Sequence, residues 1–404
     1  MKILYLLQDF PYPPDDGVRI KTFDLITYMG RKHECHILSF YWGDKGERVE
    51  EFRRIVPNVK ILGLFSTCSG IDLHAKRFKH LLRGRPVFLS RWDSGTFAHA
   101  VQRALIANDY DVVHIDGLAL APYLRFCKTK PTVLSTTDSV SRAYKGSMTS
   151  SALFRMYLSF AVWSIMRFER KVLPSASKVH VVSEPDAQYL LDNVPGIRIE
   201  SIELAVSSQI LQYPFWRVRA GESKRILFSG NVSAAGIAKG LLDFLWESYP
   251  IIQRTFSDVE MVVLGRNAAA SFQRQIKCVP NVHFISWVKD YSGEVAAAQV
   301  VIIPDRSGTG IKSRVLHAMA LARPVVGTAL ALEGIPVQDG VHCFVRDTPS
   351  SFAQAVIDLL RDEELRKHMG EAARRLITEM YTVDTIGSRW ESLYERAIAE
   401  GKGD

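Results

Sequence analysis

The sequence predicts an α/β protein made of two doubly wound parallel-sheet domains. Three observations carry this reading. Short apolar runs alternate with helical patterns from the N-terminus onward, the alternation restarts near residue 225 after a weakly patterned connection, and the first strand of each half runs into a glycine turn. A length of 404 residues suits two domains of ordinary size better than one small module.

Residues 2–8 form the first strand, because Ile3 to Leu7 is an unbroken apolar run of the kind that a sheet covered on both faces takes. A Pro/Gly loop follows over 9–18, then a helical pattern over 19–31. Apolar runs at 35–41, 59–64, 112–115, 132–135 and 178–182, mostly separated by helical stretches, complete a first domain, residues 1–205. After a polar connection around 207–223, runs at 225–229, 260–264, 283–285, 300–303 and 324–327 build a second domain, residues 206–385. The stretch 383–399, with Trp390 and Tyr394, reads as a closing helix, and residues 386–404 are assigned to a return toward the N-terminal domain. Open α/β sheets bind ligands outside the carboxyl ends of their strands, so two such domains are expected to face a central cleft.

Hydrophobic residues make up 47% and charged residues 23% of the chain, which excludes disordered and collagen-like classes. The five cysteines, Cys35, Cys68, Cys127, Cys278 and Cys343, are scattered without a C-x-x-C pair, so they write neither a zinc site nor a disulfide framework. Reduced thiols in a cytosol fit them best. The apolar run at the N-terminus is too short for a secretory signal. The uncharged stretch 156–166, bracketed by Arg155 and Arg167, falls short of the roughly 20 residues a membrane span needs. The expected setting is the cytoplasm, with the inner face of a membrane as a place of peripheral contact.

The formal net charge of +8 lies wholly in the first half of the chain. Within residues 75–103, Lys76, Arg77, Lys79, Arg83, Arg85, Arg91 and Arg103 face only Asp93, with Phe78, Leu81, Leu82, Phe88 and Trp92 interleaved. That stretch suits an anionic membrane surface or a phosphate-bearing acceptor; its plain alternative is a solvated helix face. Nucleic acid is not expected, since no helix-turn-helix, zinc finger or RNP-like string accompanies the charge.

The most informative segment is 304–328, a strand running into a glycine loop, a helix and a further strand. Gly308 and Gly310 let the backbone approach a ligand, and the N–H groups opening the helix suit a diphosphate, with Lys312 and Arg314 adding full charges. Thr309, Ser313 and His317 are spaced to share one helix side over about 12 Å, a span matching a sugar at one end and a ribose at the other. Ile311, Val315, Ala318 and Ala322 form the opposite, apolar stripe.

This segment, GTGIKSRVLHAMALARPVVGT followed by Leu332-Glu333-Gly334-Ile335, resembles the donor-binding region of GT-B-fold glycosyltransferases of the large retaining family four. With the opening DFPYPPDDGVRIKTFDLITYM, it is similar to bacterial sugar transferases associated with exopolysaccharide and exosortase loci. The resemblance implies two Rossmann-like domains, a nucleoside-diphosphate sugar held by the C-terminal one, and a glycan or lipid-linked acceptor held by the N-terminal one. It also implies transfer with retention and no cofactor or required metal, the nucleotide sugar being a co-substrate. Its donor site maps to Gly308, Thr309, Gly310, Ile311, Lys312, His317 and Glu333, with Gly230 and Lys239 as further phosphate contacts and Trp287 in the stretch that brackets the base; Arg266, ending a strand at the cleft, is offered as a further phosphate or sugar contact. Members usually carry glutamates where Thr309 and His317 stand, and an arginine where Asn231 stands. A neutral imidazole can replace the second carboxylate against a ribose hydroxyl; otherwise His317 is an ordinary helix histidine. These departures motivate the alternative of a degenerate GT-B module that binds a glycan or a partner protein without turnover.

In the first domain, Gly17 is expected beside the donor phosphates, and Arg19 has an ordinary helix charge as its alternative. His114 and Asp116 end one strand and Asp138 ends the next; Asp138 and His114 are the catalytic candidates, with strand-end capping as the alternative for both. Lys239 has the alternative of a solvent lysine at a helix start, and Glu184 reads as a helix-start charge.

Overall fold

A computed structural model describes every residue except 15, 42–45, 147–151, 216–223 and 402–404. The chain divides into two units, Met1–Ala205 with Val383–Asp404, and Val206–Thr382. The crossing back to the first unit thus falls at residue 383, three residues before the expected 386. The reason is local: the last helix, Val383–Gly401, begins at that point and buries Val383 and Ile386 at once.

Among the described residues the first unit holds a parallel sheet of β1 (Lys2–Leu7), β2 (Glu34–Tyr41), β3 (Val59–Ser66), β4 (Val112–Asp116), β5 (Thr132–Thr137), β6 (Lys178–Val181) and β7 (Ile199–Ser201). Their order is β3-β2-β1-β4-β5-β6-β7. Period-two alternation splits β1 between two cores: Ile3, Tyr5 and Leu7 pack on one side, Leu4 and Leu6 on the other. The first side is covered by the helices Gly17–Gly30 and Val383–Gly401, the latter burying Ile386, Trp390, Leu393, Tyr394 and Ala397 at helical spacing. Asp16 caps the former, accepting from the N–H groups of Val18 and Arg19 at 3.0 Å each.

The second unit repeats the plan with β8 (Arg225–Asn231), β9 (Glu260–Arg266), β10 (Val282–Ile285), β11 (Val300–Ile303), β12 (Val325–Gly327) and β13 (Phe344–Val345) in the order β10-β9-β8-β11-β12-β13. In both sheets the winding reverses beside the first strand, between β1 and β4 and between β8 and β11. Such a switch point opens a crevice at the carboxyl ends of the two strands. The edge strands β7 and β13 had no sequence signal, being three and two residues long. No helix among the described residues is long and apolar enough to cross a membrane.

Candidate functional site

The glycine loop of the second unit lies at its switch point, leaving β11 and entering the helix Ser313–Ala320. Gly308 has φ 121° and Gly310 φ 70°, a region that a side chain makes costly, so both glycines are demanded by the path of the loop. Lys312 occupies the position before the helix without a capping side-chain bond, and its Nζ donates to the carbonyl of Gly310 at 2.6 Å. The helix starts only at Ser313, so Thr309 lies in the loop and shares no helix side with Ser313 and His317. Ile311, Val315 and Ala318 are buried as the apolar stripe required.

Arg314 ties this helix to the neighbouring strand. Its Nη1 donates to the carbonyl of Ser229 at 2.7 Å, and its Nη2 pairs with the buried carboxylate of Asp305. Gly230 must be small for the same reason, since a Cβ there would stand 2.5 Å from Arg314 Nη1. Tyr291 closes the other flank, its hydroxyl 3.0 Å from Ser229 Oγ and its ring edge-on to His317 with centroids 6.1 Å apart. His317 is buried, and desolvation lowers its pKa to about 4, so the imidazole is neutral near pH 7 and can donate or accept one hydrogen bond.

Gly230 and Arg266 end the adjacent strands β8 and β9, Trp287 follows β10, and Glu333 lies in the turn after β12. The topology therefore sets these residues and the glycine loop along one edge of the sheet. Lys239 is on the exposed side of the helix Ala235–Asp243, where its Nζ pairs with Asp243 at 2.6 Å. Sequence reasoning missed the parts played by Asp305, Ser229 and Tyr291. An arginine in the first turn of a helix, followed by the mostly apolar run Val315 to Ala320, was the available signal, because a cation beside such a run requires a partner.

In the first unit Gly17 opens the helix that follows β1, with open space where a Cβ would stand. Arg19 is held by Asp9 at 2.7 Å. His114 is corrected from a catalytic candidate to a core residue. It is 0% exposed, hydrogen-bonded through Nδ1 to the Tyr394 hydroxyl at 2.9 Å and packed near the rings of Tyr5 and Trp390. Its side chain belongs to the sheet face that the C-terminal helix covers, and desolvation lowers its pKa to about 3. Asp116 is buried too, pairing with Lys21 Nζ at 2.5 Å and accepting from Thr22 Oγ1 at 2.6 Å.

Asp138 is partly exposed in the turn after β5. The residue before it, Thr137, has φ 66°, which a β-branched side chain seldom adopts. It is pinned there by Lys21 Nζ, which donates to its Oγ1 at 3.0 Å, and by the Val182 N–H, which donates to its carbonyl at 2.7 Å. Lys21 also donates to Ser135 Oγ at 2.7 Å, and Ser135 Oγ lies 3.0 Å from His180 Nδ1. A buried network thus fixes the backbone that presents Asp138.

Residues 16–209 match the family described as Glycosyltransferase Family 4, and residues 223–362 match that described as Glycosyl transferases group 1. The chain is a group 1 glycosyltransferase. HepE from Anabaena, solved in complex with UDP, superposes on this glycosyltransferase with a TM-score of 0.67, covering 98% of this chain and 100% of that one at 14% identity. The fold is therefore GT-B. N-acetyl-alpha-D-glucosaminyl L-malate synthase of Bacillus anthracis is 29% identical over 193 residues, 45% of the glycosyltransferase and 48% of the relative. MMP alpha-(1->4)-mannosyltransferase of Mycolicibacterium hassiacum is 24% identical over 332 residues, 77% and 78% of the two chains. The chain thus spans about half the length of the first relative and three quarters of the second.

Proposed function

We propose that this protein moves a glycosyl group from a nucleoside-diphosphate sugar to a hydroxyl of a glycan or lipid-linked acceptor, with retention, in bacterial surface polysaccharide or glycoconjugate synthesis on the cytoplasmic side. The observation that carries it is the loop from β11 through Gly308 and Gly310 to Lys312, placed at the switch point beside Gly230. Backbone N–H groups at a helix start and a nearby ammonium are the donors that a diphosphate leaving group needs as charge develops on it. The UDP held by HepE, a protein of the same fold, supports a nucleotide as ligand. His317 takes the ribose and Asp138 faces the acceptor hydroxyl or the oxocarbenium-like sugar. No metal is assigned to the reaction, because the loop and Lys312 supply the positive end of the site.

Calorimetric titration with the five nucleoside diphosphates, on wild type and His317→Glu, without and then with magnesium, tests this. Selective micromolar binding by wild type in metal-free buffer is the expected result. A second reading, a GT-B module that binds a glycan or partner without turnover, rests on Thr309 and His317 standing where carboxylates usually do. Binding absent from wild type and restored by the glutamate would establish that reading instead.

A further inference from the structure

The helix Gly70–Leu82 turns an apolar stripe outward. Ile71, Ala75, Phe78 and Leu82 recur at i, i+4, i+7 and i+11 and so share one face. That face is open to solvent, with Ile71 88%, Phe78 62% and Leu82 72% exposed. The opposite side, Leu73, Lys76 and His80, turns inward: Leu73 is half-buried, His80 is buried with its Nε2 3.7 Å from an Asp93 carboxylate oxygen, and Lys76 Nζ donates to the Asp93 carbonyl at 2.5 Å. A surface helix of a globular domain ordinarily buries its apolar stripe.

A second exposed stripe adjoins it. On the helix Ala152–Val172, Met156, Phe160 and Trp163 share a face at the same spacing and are exposed, while Leu158 and Ile165 are buried. The Trp163 ring comes within 3.5 Å of where a side chain on Gly84 would begin, so the end of the first helix meets the second stripe. Basic groups rim the joined surface: Arg77, Lys79, Arg83 and Arg85 on one helix and its turn, Arg167 and Lys171 on the other. Of the acids on these segments, Asp72 stands at the far end, Asp93 is engaged by Lys76 and His80, and Glu169 is buried.

We propose that this surface docks on an anionic lipid bilayer, with Ile71, Phe78, Leu82 and Trp163 entering the headgroup–acyl boundary and the basic rim lying over lipid phosphates. One-signed charge around an apolar face with an edge tryptophan matches a surface that is uniformly anionic and apolar beneath. A second copy of the chain is disfavoured, since self-pairing would bring the basic rims together. The inference goes beyond glycosyl transfer and stands or fails separately from it.

The test is flotation of the full chain with vesicles of phosphatidylcholine alone and of equimolar phosphatidylcholine and phosphatidylglycerol. Ile71→Ser/Phe78→Ser/Leu82→Ser serves as the variant, because these exposed side chains contribute little to the core. Wild type is expected to float only with the anionic vesicles and less in high salt, and the triple variant to bind at least about tenfold more weakly. Absent flotation by wild type, equal flotation by the variant, or a wild-type dimer in free solution that the variant dissociates would each overturn the proposal. Nucleoside-diphosphate titration run beside it should be the same for both proteins; loss in both would count against the transfer reading and leave the lipid result standing.

Discussion

Acid is expected to weaken the first unit through His114. Its imidazole is fully buried, and burial lowers its pKa to about 3, against about 6.5 for an unfolded histidine. The unfolded chain therefore takes up the proton first. Stability is whole above about pH 6.5 and drains as the pH falls toward 3, and for these two values the loss at about pH 5 comes to about 2 kcal/mol. His180, likewise buried with a lowered pKa, acts in the same direction. Asp116, whose pKa is lowered beside Lys21, adds nothing yet, because its contribution fades only below the unfolded carboxylate value of about 4. Urea unfolding of wild type and His114→Phe, followed by tryptophan emission, reads the difference; Trp390 is a local reporter, with ring centroids 5.3 Å from His114 and 4.1 Å from His180. Wild type should lose about 2 kcal/mol more than the variant between about pH 7.5 and 5. Parallel losses in the two proteins would refute the buried neutral imidazole, and with it the removal of His114 from the catalytic candidates.

Gly308→Ala is expected to cost about 1–2 kcal/mol of stability in the second unit and to weaken nucleoside-diphosphate binding in calorimetry, since φ 121° is closed to a side chain. Arg314→Met strands the buried Asp305 carboxylate and should lower unfolding stability by about 3–5 kcal/mol, with nucleotide binding lost as the Ser229 carbonyl is released. Asp138→Asn should leave nucleotide binding unchanged and cut kcat by at least about a hundredfold in a radiolabelled sugar-transfer assay.

Much of the sheet framework was legible because a strand buried on both faces announces itself as a continuous apolar run, and β1 and β11 do so. The edge strands β7 and β13 were invisible for the converse reason, being too short to show a period. The glycine loop was legible as a pattern, and the positive φ of Gly308 and Gly310 supplies its cause. The helix start was misplaced by several residues, since Gly310-Ile311-Lys312 carries no Ser, Thr, Asp or Asn cap to mark it. From the sequence His114 and Asp138 both read as strand-end residues; in the structure His114 lies in the middle of β4 and Asp138 just past β5. The C-terminal helix, hundreds of residues away, decides that His114 is covered. A long-range contact of that kind leaves no local trace.

The same distinction extends to Lys21 and Asp116, whose pairing spans 95 residues of sequence. Their pair does two things that substitution can separate. Lys21→Met alone leaves Asp116 as an unpaired buried carboxylate and should cost about 3–5 kcal/mol. Replacing both, as Lys21→Met/Asp116→Leu, removes the charge along with its partner, and such apolar exchanges are often near neutral, so most of that stability should return. The hydrogen bond from Lys21 to Thr137 does not return with it. Thr137 then lacks one of the two bonds holding φ at 66°, a conformation worth about 1–3 kcal/mol of strain, and the turn carrying Asp138 is free to relax. The double variant should therefore unfold near the wild-type midpoint, bind nucleoside diphosphate normally in the second unit, and show a lowered kcat. Wild-type kcat in that stable double variant would mean that the buried pair is structural alone, and that Asp138 is presented without help from the network beneath it.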